Sequence, residues 1–579
     1  MNYKLKYNHN LPHDPTTCLG WLLDARGVED PEAYVYPSKE NELNPWLLDN
    51  IDEAAQLLIW HLQAGNEVLF VVDSDADGFT SSAMLWNYIK EIRPDAKLSY
   101  IMHEHKGHGL DDLIDRVLES SAKLVILADA GSNDYVQHKQ LKDAGKESIC
   151  LDHHVVDHGY SKNSVVVNNQ LSTNYPNKWL CGAGVVYKFL FVLDKYFQVH
   201  NAEKYMDLCA VGNIADMMSP SNAETRYYTV EGLKHINNGG LKALLNAQSF
   251  SLYRNSQGLN YTKIAFYIAP IINAVIRIGT MEEKKLLFEA FINPDELIQS
   301  DKRGAKVGEM ETLATQAARK AINARARQNR VKDKATDLID FRIQKEGLLD
   351  NKIIVVEIYE EDNIPQELTG LLATQFVNKY QRPCIIVRKN PQGFLRGSIR
   401  GNDSFEEVPD LKDFLESSGF TEYVQGHKNA AGISIHEKQL ESLINYANFN
   451  ISDKGLESCY YVDYIFKANE NFSQLALIIA DNEDLWGNDI SEPQVVVEDI
   501  PLSSSQLFIM GENKDSVKWT LNGIEYVKFK DADFVDTLQQ YGLFNITVYG
   551  KFAKNTYMGR TTAQLIIEDF NIKDASDEF

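Results

Sequence analysis

Asp73, Asp75 and Asp77 sit in the stretch VVDSDADGFTSS (71–82), with carboxylates on alternate residues and Gly78 closing the run. That spacing fits the opening of an EF-hand calcium loop, which places oxygen ligands at alternate positions and a Gly at the sixth. Such a loop ends in a bidentate Glu at its twelfth position. Counted from Asp73, that position is Met84, whose thioether is a poor ligand for a hard cation. The flank disagrees as well, because EVLFVV (67–72) is a short Val-rich run that reads as a buried strand rather than an entering helix. The acids therefore need partners from elsewhere in the chain before they can do chemistry.

Those partners share one setting. Asp129 follows LVILA (124–128), Asp152, His153 and His154 follow SICL (148–151), and Asp216 lies in VGNIADMM (211–218). Taken singly, an Asp after a strand is usually a helix cap or turn residue, and DHH reads as a polar loop. Taken together, they stand at the carboxyl ends of strands, which in an open parallel sheet point into one crevice. If Asp73, Asp75, Asp129 and Asp216 share that crevice, four carboxylates cannot all stay ionised without counter-charge. Two divalent cations would supply it, and a mixed carboxylate and imidazole shell suits Mn²⁺, with Mg²⁺ as the alternative. Such a pair lowers the pKa of a water and stabilises both oxygens of an in-line phosphoryl displacement. The six cysteines are scattered, with no CxxC pair for a zinc thiolate site, and read as buried thiols of a reducing compartment.

The positioning elements follow from periodicity. Helical spacing over 51–65 ends at Gly65, and a strand (67–72), the acidic turn and a helix from near Thr80 come next. Strands at 97–102, 123–129, 148–152 and 164–169 alternate with helices at 110–119 and 134–144. This alternation predicts an α/β fold with a mostly parallel sheet covered on both faces. Residues 180–290 read as largely helical, and 301–345 as one long Ala/Arg/Lys-rich helix joining domains. A second, smaller α/β pattern starts at 351–359, with a helix at 366–380 and a strand at 382–389. From about residue 460, short β-type runs separated by turns suggest a small β-barrel.

A length of 579 residues fits about three to four domains. The N-terminus, MNYKLKYNHNLPHDP, has no apolar core of a signal peptide, and no uninterrupted apolar run approaches spanning length, which points to a cytoplasmic protein without membrane contact. The net charge of −24 argues against general nucleic-acid affinity, but residues 301–335 hold ten Lys/Arg against four Asp/Glu. A basic stripe there is compatible with nucleic acid in one groove, although a solvated helix face is the simpler reading.

DSDADG, Asp129, DHH at 152–154 and IAD at 214–216 resemble the four motifs of the DHH phosphoesterase superfamily. GHGLDDL (107–113), CGAGVVYKFL (181–190), DLCAVGNIADMM (207–218), ETRYYTVEGL (224–233) and FYIAPIINAVIR (266–277) narrow the resemblance to RecJ-like single-strand exonucleases. RGSIRG (396–401) and QGHKNAAG (425–432) resemble DHHA1 substrate-binding motifs, and the C-terminal region, ending in AQLIIEDF, resembles that family's oligonucleotide-binding barrel. The similarity covers nearly the whole chain in the right order. It implies an N-terminal extension (1–50), a DHH catalytic domain (51–300), a connecting helix (301–345), a DHHA1 domain (346–450) and an OB-like domain (460–579).

The resemblance also implies roles. Asp73, Asp75, Asp129, His153 and Asp216 would ligate two Mn²⁺ or Mg²⁺ ions, with Asp129 bridging. His154 would face the scissile phosphate, and Asp77 and Asp152 would orient water or imidazole. Ser398, Arg400, Gly426, His427, Ala430, Ala431 and Gly432 would hold phosphates, and Asn273 and Arg277 would touch the strand backbone. KNAAG can also be read as a helix N-terminus packed on a strand, itself an anion site. The chain departs from the family pattern at Val71–Val72, where a His–Gly pair is common, at Ile271 and Ile276 in the PRINAAGR-type motif, and at Gln425, where the family has Gly.

The implied activity is hydrolysis of single-stranded DNA to nucleotides, 5′→3′, in repair, recombination or replication. The enzyme would be a monomer of bacterial or phage origin that works with a single-strand-binding protein or helicase. Two rivals stand beside it. A phosphodiesterase for short oligonucleotides or cyclic dinucleotides would typically lack a terminal nucleic-acid barrel. A catalytically inactive strand-binding replication subunit would have no reason to keep so costly a cluster of acids.

Overall fold

Strand β1 (Val68–Val72) is buried along its whole length, as a central strand covered on both faces must be. It pairs in parallel with β2 (Leu98–Met102) and β3 (Leu124–Ala128), and the sheet continues in parallel through β4 (Glu147–Asp152) and β5 (Val165–Asn168). The strand order β2-β1-β3-β4-β5 reverses direction between β1 and β3. A crevice opens at the carboxyl ends of strands where an open α/β sheet reverses in this way. The computed structural model describes all residues except 15, 106, 157, 254–257, 403–404, 406, 453–458 and 575–579.

The chain divides into two compact units. Arg26–Asn329 with Asp484–Ser491 form the first, and Met1–Ala25, Arg330–Glu483 and Glu492–Phe579 form the second. In the first unit, α1 (Ala76–Ile92), α2 (Gly182–Phe197) and α3 (Met206–Ala215) share one apolar core with β1, β3 and β4. Helix α1 starts four residues earlier than the periodicity predicts, because Asp75 caps it and accepts from the Gly78 N–H at 2.9 Å. The helix expected over 110–119 is confined to Ile114–Glu119, since the chain turns at Gly109 (φ +63°) and again through the Leu113 N–H to Leu110 C=O bond.

Helix α4 (Ala269–Ile278) follows a π-helical turn at Ile264–Ile268. By length and composition Tyr261–Ile278 could cross a membrane, but half of it is buried, with Ile264, Ile268, Ile272 and Val275 in the core of the unit. The long helix α5 (Leu313–Lys345) has 33 residues and crosses the division at residue 330. It does not begin at 301. Gly304 and Gly308, both at positive φ, turn the chain between two short antiparallel strands, Leu297–Gln299 and Met310–Thr312. Of the cations expected to form a basic stripe, Lys302, Arg319, Lys320 and Arg327 pair with nearby acids (Glu309, Glu311, Asp301 and Glu283), which favours the solvated-face reading for them.

Among the described residues the second unit holds two large sheets and one two-stranded sheet. The first has the order β9-β10-β8-β7-β6, built from β6 (Ile354–Ile358), β7 (Cys384–Lys389), β8 (Phe394–Arg400), β9 (Tyr423–His427) and β10 (Ala430–His436), with helix α6 (Thr369–Tyr380) against β7 and β8. KNAAG is not a helix N-terminus here. β9 and β10 pair antiparallel with His427 opposite Ala430, so Lys428 and Asn429 form a hairpin turn. The second sheet has seven strands: β11 (Tyr464–Lys467), β12 (Gln494–Ser503), β13 (Phe508–Met510), β14 (Ser516–Leu521), β15 (Ile524–Lys528), β16 (Leu543–Tyr557) and β17 (Arg560–Asp574). Their order is β11-β12-β16-β17-β15-β14-β13, with bulges at Val497/Ile500 and Tyr549/Gly550 that bend it as an OB-like sheet requires. Asn2–Leu5 pairs in parallel with Cys459–Val462, so the start of the chain joins this unit while residues 26–50 join the other.

Candidate metal centre

The centre is built at the carboxyl ends of β1, β3 and β4 and the end of α3. Asp73, directly after β1, is 1% exposed, and its Oδ1 accepts from the Gly109 N–H at 3.2 Å. Asp75 caps α1, and the next N–H, that of Ala76, donates to Asn273 Oδ1 at 3.2 Å. Asp129, directly after β3, is equally buried and adopts φ +73°, a left-handed conformation uncommon for a residue with a Cβ. It is held there by its own N–H, which donates to Leu151 C=O at 2.8 Å. Gly182 makes the room: a Cβ at that position would stand 2.4 Å from Asp129 Cβ.

Asp152 ends β4 and anchors the two histidines. Its Oδ1 accepts from the backbone N–H groups of His153 (2.7 Å) and His154 (3.2 Å) and lies 2.8 Å from His154 Nδ1. Its Oδ2 accepts from Ser132 N–H at 2.9 Å. The other imidazole turns inward, with His153 Nε2 3.2 Å from Asp129 Oδ1 and 3.4 Å from Asp216 Oδ2. Asp216 is the C-terminal cap of α3. Asp77, in the first turn of α1, accepts from the N–H groups of Gly182 (2.7 Å) and Ala183 (2.9 Å), joining the starts of α1 and α2.

Possible ligand atoms of Asp73, Asp75 and Asp129 lie within 4.8 Å of one another, and so do those of Asp77, His153 and Asp216, and of Asp129, Asp152, His153 and His154. Asp129 belongs to two of these groups. Its Oδ1 is buried and, among the described residues, accepts no well-aligned hydrogen bond, with His153 Nε2 beside it at 3.2 Å. A buried carboxylate oxygen without a hydrogen bond is costly, and a cation is the partner that the surrounding donor set suits.

Charge explains the same arrangement. Burial, followed by the carboxylates of Asp77, Asp75, Asp73 and Asp216, holds the Asp129 carboxyl well above the usual range. Burial and then Asp77 and Asp75 push Asp216 up to about 8, and burial with Asp75 pushes Asp77 up to about 6. Burial, aided by the neighbouring His154, lowers His153 to about 4, leaving a neutral imidazole able to ligate. Burial also opposes the charge of His154, but Asp152 outweighs it and raises His154 to about 10, which favours the protonated ring. Without divalent ions the cluster keeps protons, and with them it can give those protons up.

One residue of the site was given no role by the sequence reading. His108, half-exposed, places Nδ1 2.7 Å from Asp73 Oδ2, although burial still leaves Asp73 with a raised pKa. The signal was present in GHG (107–109), close after β2 and therefore beside β1 in the crevice. Val71 and Val72 are both 1% exposed, so they offer packing where the family pattern has His–Gly.

The residues expected to hold phosphates lie in the second unit. β8, β10 and β9 place Ser398 opposite Gly432 and Gly432 opposite Gln425, and likewise Arg400, Ala430 and His427, so alternate residues share one face. Ser398 Oγ lies 2.8 Å from Thr369 Oγ1 at the start of α6. Arg400 Nη1 donates to its neighbour's carbonyl, that of Ile399, at 2.7 Å, and the guanidinium lies over Gly370, where a Cβ would come 2.5 Å from Nη2. Gly426 (φ +133°) and His427 are exposed. Ala431 points the other way and is buried in the apolar core with Ile399 and Ile433, so its side chain packs the sheet. In the first unit, Asn273 Oδ1 is engaged by Ala76, and Arg277 lies one helical turn further along α4, its guanidinium pKa lowered by burial.

Residues 67–213 match the DHH family, N-terminal domain, and residues 462–569 match the RecJ OB domain. The putative SPbeta prophage-derived single-strand DNA-specific exonuclease YorK of Bacillus subtilis is 36% identical over 579 residues, covering 99% of this chain and 98% of that protein. The single-stranded-DNA-specific exonuclease RecJ of Haemophilus influenzae is 24% identical over 498 residues, 83% of this chain and 82% of that one. The fold matches the crystal structure of RecJ in complex with Mn²⁺ from Thermus thermophilus with a TM-score of 0.71 at 21% identity, covering 99% of this chain and 80% of that one. A relative of this identity spanning almost the full length of both chains settles kinship: the chain belongs to the RecJ family of DHH single-strand-DNA-specific exonucleases.

Proposed function

We propose that this protein is a divalent-metal-dependent exonuclease that hydrolyses single-stranded DNA to nucleotides. The observation that carries the reading is the buried cluster around Asp129, whose Oδ1 accepts no hydrogen bond among the described residues, at the switch point of the sheet. The full-length relative named as a single-strand DNA-specific exonuclease supports the substrate, and the Thermus structure in complex with Mn²⁺ supports the cation. Degradation from the 5′ end rests on the family resemblance alone.

In this reading Asp73, Asp75 and Asp129 would hold one ion, and His153 and Asp216, grouped with Asp77, would hold the other together with Asp129, whose Oδ1 lies 3.2 Å from His153 Nε2. When bound, the two ions would neutralise the carboxylates, acidify a water and stabilise the oxygens of an in-line displacement at phosphorus. The chain's own residues do the rest. Asp152 orients both histidines, through two backbone N–H groups and the His154 ring. His154, cationic and half-exposed at the mouth, donates a hydrogen bond to a phosphate oxygen as negative charge builds there. Asp77 ties the first turns of α1 and α2 and so fixes the distance between Asp75 and Asp129. His108 supplies an imidazole beside Asp73 where Val71 and Val72 supply none.

Ser398, Arg400, Ala430, Gly432 and His427, on one face of a sheet, suit contact with successive phosphates: small residues let backbone approach, and Arg gives a planar fork. Domain limits of 51–300, 346–450 and 460–579 are part of the same reading, as are a monomeric state, work in the cytoplasm and cooperation with a single-strand-binding protein or helicase. The test uses 5′- and 3′-labelled single strands, a duplex and a dinucleotide, each with Mn²⁺, Mg²⁺ or chelator. The expected result is early release of the 5′ label from single strands only, abolished by chelator. Cleavage of the dinucleotide alone would favour a small-substrate phosphodiesterase, and no cleavage of any substrate would favour an inactive strand-binding subunit.

A further inference from the structure

Asp484–Ser491 lies in the sequence between helix Ser473–Asp481 and strand β12, yet it belongs to the catalytic unit. It is fastened there along its length. Leu485, Trp486 and Ile490 are buried. Tyr34 Oη donates to Leu485 C=O at 2.6 Å, and the buried Arg226 donates through Nη1 to Asp484 C=O at 2.8 Å while its guanidinium sits 4.6 Å from the Tyr34 ring. Arg26 Nε donates to Ser491 C=O at 2.6 Å, and its guanidinium lies 5.5 Å from the Trp486 ring. Gly487 backs onto Tyr261, where a Cβ would come 3.2 Å from the ring.

Between these fastenings Asn488 reaches the metal centre's edge. Its Nδ2 donates to Met217 C=O at 2.5 Å, across 271 residues of sequence. Met217 directly follows Asp216 and has φ +56°, so the chain reverses there in a conformation that a residue with a Cβ seldom adopts unaided. The carbonyl that Asn488 holds belongs to this reversal. Within the turn, Asp216 N–H donates to Gly212 C=O (2.9 Å), Met217 N–H to Ile214 C=O (3.2 Å) and Met218 N–H to Asn213 C=O (2.9 Å), and Asn488 adds a hold on the Met217 carbonyl from outside the helix.

We infer that Asn488 is a positioning residue for the metal centre, and that the strap carrying it keeps Asp216 turned toward His153. The inference rests on the reading of Asp216 as a ligand. It also means that the catalytic unit is completed by a segment contributed from the C-terminal part of the chain, covalently continuous with β12.

The test is Mn²⁺ binding to the full chain, followed by electron paramagnetic resonance, for wild type, Asp216→Asn, Asn488→Ala and Asn488→Gln, together with hydrolysis at several Mn²⁺ concentrations. Wild type should bind two ions and Asp216→Asn should lose one. Asn488→Ala should keep two but bind the weaker one about tenfold less tightly, the scale on which groups behind a ligand act. Its kcat should recover at saturating Mn²⁺ with KM for DNA unchanged, and Asn488→Gln, which keeps the donor, should restore affinity. If Asn488→Ala does not fold, Asn488→Asp, which keeps the volume and removes the donor, should show the same loss. Wild-type affinity in Asn488→Ala or Asn488→Asp, with one ion lost in Asp216→Asn, would overturn the inference and leave the ligand reading standing. Unchanged binding in Asp216→Asn would overturn both.

Discussion

The metal centre and the sheet face around Arg400 are both expected to meet the phosphate backbone, and they are built in opposite ways. The first gathers residues far apart in sequence into a pocket where burial and then neighbouring carboxylates raise the pKa of Asp129. The second spreads Ser398, Arg400, Ala430, Gly432 and His427 over one face of a sheet, with position set by cross-strand register. The difference follows from the work. A group that must change charge or hold a cation needs burial and neighbours. A surface that must let a polymer slide needs close backbone approach and few deep contacts. Variants in the first region should therefore remove kcat, and variants in the second should raise KM.

The largest separation between the two is expected from Asp129→Ala. It should lower kcat by at least about 10⁴-fold, as when one member of a group acting as a unit is lost, while a gel-shift assay shows single-strand binding largely retained. Loss of binding in parallel with kcat would erase the distinction. His154→Gln should cost about 10²–10³ in kcat, the range for one preorganised donor, with Mn²⁺ affinity unchanged. A weakened Mn²⁺ affinity would make His154 a ligand instead. In the second region, Arg400→Ala should raise KM about tenfold, consistent with one charged hydrogen bond, with kcat intact. Gly370→Ala should do the same without touching a charge, because the added Cβ would stand 2.5 Å from Nη2 and displace the guanidinium. A fall in kcat without a change in KM would contradict the assignment.

The smallest effect is thermal and depends on pH. In chelator, Asp216 and Asp129 hold their protons in the folded protein at pH values where the unfolded chain has released them. A raised folded-state pKa contributes stability that is complete below the ordinary carboxylate value, about 4, and is lost as pH climbs through about 8 for Asp216. The melting temperature of the catalytic unit without metal should therefore fall between pH 5 and pH 8.5. Mn²⁺ should restore it. A melting temperature that rises with pH in chelator would contradict the charge assignment.

How much of this was readable beforehand differed between the regions. Asp73, Asp129 and DHH could be assembled from the sequence because each follows a recognisable apolar strand, and the parallel sheet does the rest. The strand order that puts β1 beside β3 is a long-range property that periodicity does not carry. Asp75 both caps α1 and stands among the site acids, so periodicity alone starts the helix four residues late. KNAAG looked like a helix N-terminus for its small residues, although the antiparallel register of β9 and β10 makes it a hairpin. Ala431 and Gly432 are neighbours in the sequence, yet they face opposite sides of the sheet, which only the register decides. The strap at 484–491 left no trace in local pattern, because its meaning lies in contacts with Tyr34, Arg226 and Met217.

The most direct test of the central claim is the stoichiometry and magnetic coupling of bound Mn²⁺ in wild type and Asp129→Asn. Two ions are expected in wild type, and because Asp129 groups with Asp73 and Asp75 on one side and with His153 on the other, it would stand between them, so a spin-coupled signal is expected. Asp129→Asn should lose that coupling. A wild-type protein that binds a single uncoupled ion, or an Asp129→Asn variant whose signal matches wild type, would contradict the account.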